Sequence, residues 1–248
     1  MSFKQLINKT IKHYSRYNSI YFRNKYYDNA IKKFIESRID LHLIEKDYPG
    51  FADLYNQKSV IYRDEIIPFY QDYVKRVSNP IMALSLELSV FLLVLCELIK
   101  PKNIIDFGSG FSSFVFRYYA AHHANDQSLV VWSIDDSMEW LDKTSEFLTA
   151  QGLKTDNLSM LDSIIQKQNI SFDLILYDYG AFDTRMANLE TALSLLSDKG
   201  SIILDDMHGA DYAFFVLNSL KKFDFKKYSI RCCTNDNYGR YSFIAKHK

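Results

Sequence analysis

From residue 80 onward, short apolar runs of strand length alternate with longer segments whose apolar positions recur every three or four residues. The pattern predicts helices at about 81–99, 111–123, 138–151, 184–197 and 210–221. Between them it predicts strands at 103–107, 129–134, 157–161 (weakly), 172–177 and 201–204. Two last strands, about 225–232 and 240–246, are joined by the turn-rich Thr234-Asn235-Asp236-Asn237. Lys100-Pro101 closes the first helix, and Gly152 is placed to give a left-handed C-cap to the helix before it. Strands separated by helices call for a mostly parallel sheet covered on both faces, an α/β fold, because parallel neighbours need crossovers. The terminal pair adds an antiparallel edge.

The front of the chain follows a different rhythm. Residues 1–78 have no glycine before Gly50 and no useful alternation, while Ile7, Ile11, Tyr14, Tyr17 and Tyr21 fall on one helical face. Turn signals stand at Pro49-Gly50 and Ser78-Asn79-Pro80. The reading is therefore an N-terminal helical segment, 1–78, that covers an acceptor site or forms a homodimer contact, followed by the main domain, 79–248. The apolar stretch from 81 to 99 contains Glu87 and Glu97, each costing roughly 2.5–3.5 kcal/mol near a bilayer centre, so it reads as a buried helix.

With 48% hydrophobic and 24% charged residues in 248, the chain is globular. Thirty basic residues balance thirty acidic ones, so nothing favours a nucleic-acid or anionic-lipid partner. The start lacks the apolar core of a signal peptide, and Cys96, Cys232 and Cys233 match no zinc or disulfide framework, which points to reduced thiols and a cytoplasmic protein.

In open α/β sheets ligands bind beyond the carboxyl ends of the strands. Those ends are acidic here. The first runs Asp106-Phe107-Gly108-Ser109-Gly110-Phe111-Ser112-Ser113, where glycines let a ligand approach the backbone and the following helix offers free N–H donors. Asp135, at the end of the second strand, is placed to accept hydrogen bonds from a ribose. An adenosine-type cofactor follows, either a nicotinamide dinucleotide or S-adenosylmethionine. Asp106 would repel a pyrophosphate and suit a cationic amine, and Ser113 stands where the third dinucleotide glycine belongs.

The ordered set Asp106-x-Gly108-x-Gly110, Asp135, Asp178 and Asp205-Asp206, with the closing strand pair, resembles the Rossmann-like S-adenosylmethionine-dependent methyltransferases over about residues 80–248. The resemblance implies a doubly wound, mostly parallel sheet. It also implies that Asp106, Gly108, Ser109, Gly110 and Ser112 hold the methionine part, Asp135 and Asp136 the ribose, and the stretch around Leu161 and Asp162 the adenine.

The fourth strand lacks the Asp/Asn-Pro-Pro-aromatic motif of base methyltransferases. Asp178, Asp205 and Asp206 should instead converge beside the methyl donor. Two like charges about 4 Å apart repel by about 4 kcal/mol at an effective dielectric near 20, and a divalent ion would relieve them. The set is similar to the magnesium site of metal-dependent O-methyltransferases of the catechol and macrolide-sugar types, which implies Mg2+ at these three acids. Catechol-type enzymes carry a lysine where this chain has Ala181, whereas His208 resembles the histidine base of sugar-type enzymes, and Asp178 is the second catalytic candidate. Without metal, one acid of the pair would cap the next helix, and Asp178 would meet the methionine amine. Asp183 and Arg185 read as a surface salt bridge, His122-His123 as partners of a helix dipole, and Cys232-Cys233 as strand packing. The expectation is a methyltransferase acting on a small-molecule hydroxyl. Its rivals are an NAD-type oxidoreductase and a non-catalytic scaffold.

Overall fold

A computed structural model of the protein describes residues 44–124, 126, 128–165 and 170–248. These belong to one compact unit. The stripe from Ile7 to Tyr21 lies outside the described residues.

Helix α1, Phe51–Arg76, buries Phe51, Tyr62, Ile66 and Tyr73 along one face, at the spacing that a 3.6-residue period puts in line. It packs on α2, Leu86–Ile99, whose residues from Leu88 to Cys96 are all buried. That helix starts five residues later than the apolar pattern suggests. The Asn79 side chain accepts from the amides of Ile81 and Met82, and Ser85 caps Leu88, so residues 79–85 form a turn in which Ile81 and Met82 are exposed.

The sheet follows: β1 Asn103–Phe107, α3 Phe111–His122, β2 Val130–Asp135, α4 Met138–Ala150, β3 Leu158–Met160 and the short α5 Asp162–Ile165. Then come β4 Phe172–Tyr177, α6 Phe182–Ser194, β5 Leu196–Leu204, α7 Ala210–Lys222, β6 Phe225–Ser229, α8 Arg231–Thr234 and β7 Phe243–His247. The order across the sheet is β3-β2-β1-β4-β5-β7-β6. β1 to β5 are parallel, and β7 inserts antiparallel between β5 and β6. Central strands β1 and β4 are almost wholly buried, as strands covered on both faces must be. Gly152 takes φ 68° just past α4, the left-handed cap expected there.

Two local expectations are corrected. β5 begins at Leu196 rather than 201, with a register shift between Phe172 and Leu174 on its partner. β6 ends at Ser229, and Cys232 and Cys233 lie in α8, where Thr234 donates back to the Ile230 carbonyl. His123 pairs with Glu65 at 2.9 Å, tying α3 to α1. Among the described residues no helix is long and apolar enough to cross a membrane.

Candidate active site

A cleft opens at the carboxyl ends of β1, β2, β4 and β5, lined by Gly108 to Ser112, Asp135, Asp136, Asp178, Arg185 and Asp206. The glycine loop is pinned to the sheet from both sides. Gly108 N donates to the Ile134 carbonyl at 2.8 Å, and Asp178 N donates to the Phe107 carbonyl at 2.8 Å. Gly108 has φ 102°, and a Cβ there would stand 2.2 Å from the Asp178 carbonyl oxygen, so only glycine lets the loop sit this close to β4.

Beneath the loop Asp106 is fully buried. Its Oδ2 accepts from the Ser113 hydroxyl at 2.6 Å and the Ser112 hydroxyl at 2.9 Å, which draws the first turn of α3 onto β1. Its Oδ1 has no hydrogen-bond partner among the described residues. Burial pushes this carboxyl up to about 7, against the opposing pull of the two serines and of the Arg117 guanidinium. Arg117 is itself buried, donating to Ser133 Oγ at 2.7 Å and to the Asp156 carbonyl at 2.8 Å, and so fastens α3 to β2 and to the approach to β3.

Asp135 clasps the same loop. Its Oδ2 accepts from Ser109 N at 2.7 Å and Ser109 Oγ at 2.8 Å, while Oδ1 accepts from Ser137 N at 3.0 Å. Burial raises its pKa against these bonds. The Oδ1 atom keeps accepting capacity toward the cleft, and the Ser109 hydroxyl can rotate away. Asp136 is exposed, with its carboxylate against Gly180.

On the other side of the cleft, ligand atoms of Asp178, Asp205 and Asp206 lie within 4.8 Å of one another, as the strand-end reading expects. Asp206 adopts φ 56°, a left-handed conformation that Asp tolerates better than most residues and that turns its side chain off the end of β5. The acids do not cap α7, whose N-cap is Gly209 without a side-chain bond. Asp205 Oδ1 accepts from Ser242 Oγ at 2.6 Å. Burial, reinforced by the neighbouring carboxylates, raises the pKa of Asp178 and of Asp205.

Arg185 is the correction here. It is a buried cation rather than a surface partner of Asp183: its Nη2 stands 2.5 Å from Asp178 Oδ1, its Nη1 donates to Asp206 Oδ2 at 3.1 Å, and its Nε donates to the Gly180 carbonyl at 3.1 Å. His208 Nδ1 lies 3.4 Å from Asp206 Oδ1. Its side chain is half-exposed and, unlike Asp206, does not line the cleft.

Leu161 is buried and Asp162 exposed at the junction of β3 and α5, and neither lines the cleft. Trp140, Tyr73, Ile81 and Met82 do, and the sequence reading did not single them out. Trp140 had a signal: it is an aromatic in the first turn after the β2 acid. Arg240 also lines the cleft, pairing with Asp236 at 2.7 Å while donating to the Ile81 and Pro80 carbonyls, and so holds the 79–84 turn over the opening.

No family model matches this chain, and no curated protein matches it. Solved structures do. The SAH-bound methyltransferase PaMTH1 of Podospora anserina aligns with 75% of this chain and 88% of its own at 15% identity and a TM-score of 0.58. The O-methyltransferase of Bacillus cereus in complex with SAH aligns with 74% and 89% at 18% identity and a TM-score of 0.55. TomG, the O-methyltransferase of Streptomyces achromogenes in complex with SAM, aligns with 74% and 87% at 16% identity and a TM-score of 0.54. The fold is that of the Rossmann-like S-adenosylmethionine-dependent methyltransferases, O-methyltransferases among them.

Proposed function

We propose that this protein is an S-adenosylmethionine-dependent methyltransferase that acts on a hydroxyl oxygen of a small molecule. The observation that carries the reading is the cleft itself, where a glycine loop over a buried acid, a ribose-height acid and three further carboxylates meet at the ends of β1, β2, β4 and β5. The O-methyltransferases of like fold support the choice of oxygen.

S-adenosylmethionine supplies an electrophilic methyl group for in-line displacement by the acceptor. The chain's part is alignment and proton removal. The loop from Gly108 to Ser112, with Asp106 beneath it, holds the methionine end, where the amine offsets the buried carboxyl. Asp135 and Asp136 take the ribose. Trp140 contributes an aromatic face for the adenine. The His208 imidazole, whose Nδ1 lies 3.4 Å from Asp206 Oδ1, is the base that accepts the acceptor's proton. Tyr73, Ile81 and Met82 give the acceptor an apolar wall, so the described end of the front segment contributes to the acceptor side through Tyr73 of α1.

The all-oxygen donor set of Asp178, Asp205 and Asp206 suits magnesium in kind. The charge balance does not, because the Arg185 guanidinium already lies against two of the three acids. No step of the mechanism is routed through a metal.

The insertion of antiparallel β7 between β5 and β6 departs from the 3-2-1-4-5-6 order of dinucleotide-binding sheets. The buried Asp106 is equally unsuited to a pyrophosphate. Turnover tests the proposal: protein incubated with S-adenosylmethionine and a panel of phenols and sugars yields a product heavier by one methyl group. An oxidised product formed with a nicotinamide cofactor, and no methylated one, would overturn it.

A further inference from the structure

The acids at the ends of β4 and β5 are held together by a side chain rather than left for an ion. Arg185, in the first turn of α6, is only 7% exposed. Its planar fork spans Asp178 on one side and Asp206 on the other, and its Nε is anchored to the Gly180 carbonyl. The rings of Phe182 and Tyr212 stack on each other at 5.1 Å and stand 5.5 and 5.9 Å from the guanidinium carbon, packing against it. A guanidinium so placed is held by charge, by hydrogen bonds and by packing at once. The third acid is served separately, by the Ser242 hydroxyl.

We propose that Arg185 is the resident cation of the acceptor site, standing where a divalent ion would otherwise bridge Asp178, Asp205 and Asp206. This deepens the methyltransferase reading and rests on it for its meaning, although the geometry on which it stands does not. Two consequences follow. The site works without added metal, and Arg185 acts as a positioning residue, fixing the Asp206 carboxylate that stands beside His208. An acceptor is then recognised through a single oxygen beside the unused N–H donors of the fork. A chelating pair of neighbouring oxygens is not required.

The test is manganese binding to the full chain, read by electron paramagnetic resonance and by calorimetry, in the wild type, in Asp206→Asn, in Arg185→Gln and in Arg185→Gln/Asp206→Asn, with folding checked by circular dichroism. The wild type is expected to show no site tighter than millimolar. Arg185→Gln is expected to gain one at least tenfold tighter, which the second substitution removes. A wild-type site of micromolar affinity that Asp206→Asn abolishes would overturn the proposal, and this arm needs no arginine variant to fold. Failure of folded Arg185→Gln to gain a site would overturn it too. Because the readout is ion binding, it is independent of whether the cleft takes an adenosyl cofactor.

Discussion

Replacing Asp106 with Asn isolates the most heavily buried acid of the cleft. Full burial with one unpartnered oxygen lifts its carboxyl from the ordinary 3.8 to about 7. Between those values the folded protein keeps a proton that the unfolded chain has released. The contribution of this group is therefore complete below about pH 4 and is lost as the pH rises through about 7. At about 1.4 kcal/mol for each pH unit, the loss amounts to about 4 kcal/mol. The Asn variant has the same shape and no such titration. Its stability relative to the wild type should thus improve by about that amount between pH 4 and pH 8, as measured by urea unfolding. A bound cationic amine favours the carboxylate, so S-adenosylhomocysteine binding near pH 6 should expel close to one proton from the wild type and much less from Asp106→Asn. Calorimetry in two buffers of different ionisation enthalpy reads that number. Stability curves for the two proteins that run parallel from pH 4 to 8 would refute the burial argument.

Three more outcomes are expected. Gly108→Ala combines a left-handed φ with a Cβ driven into the Asp178 carbonyl, which at about 1–2 kcal/mol of strain plus about 1–3 kcal/mol of overpacking should lower the melting temperature by roughly 5–15 °C in a calorimetric scan. His208→Gln should cut kcat by roughly 10²–10⁴-fold while leaving S-adenosylhomocysteine affinity within a factor of two or so, the pattern of a lost general base, and an unchanged kcat would remove His208 from the chemistry. Paired acceptors that differ only in a neighbouring hydroxyl, a catechol and its monophenol, should turn over at comparable rates with or without EDTA, whereas a chelator-sensitive preference for the vicinal pair would restore the metal reading.

The parts of this structure that were legible in the sequence are those where a local signal and the global fold agree. Asp106, Asp135, Asp178 and Asp205 each end a strong apolar run and precede a turn or a capping residue, so strand-end placement could be argued from neighbours in sequence. The 81–99 helix was misjudged at its start because Ile81 and Met82 are apolar yet exposed, held in a turn by Asn79 and, from 159 residues away, by Arg240. Arg185 was read as a surface partner for the same reason. Its two carboxylates come from β4 and β5, and nothing within four residues of it announces burial. Trp140 and Tyr73 reach the cleft from helices whose rotation depends on packing, which periodicity constrains only to a face. The adenine end was tied to Leu161 and Asp162 by the family resemblance alone, and β3 is only three residues long.

The central claim is that the cleft at Gly108–Ser112 and Asp135 is an adenosyl-cofactor site. Its most direct test is isothermal titration of the full chain with S-adenosylhomocysteine, in the wild type and in Asp135→Ala. Micromolar binding to the wild type is expected, weakened by roughly 10–100-fold in the variant, which loses hydrogen bonds to a charged acceptor worth about 1.5–3 kcal/mol. Absence of binding to folded, ligand-free wild-type protein, or equal affinity in the two proteins, would contradict it.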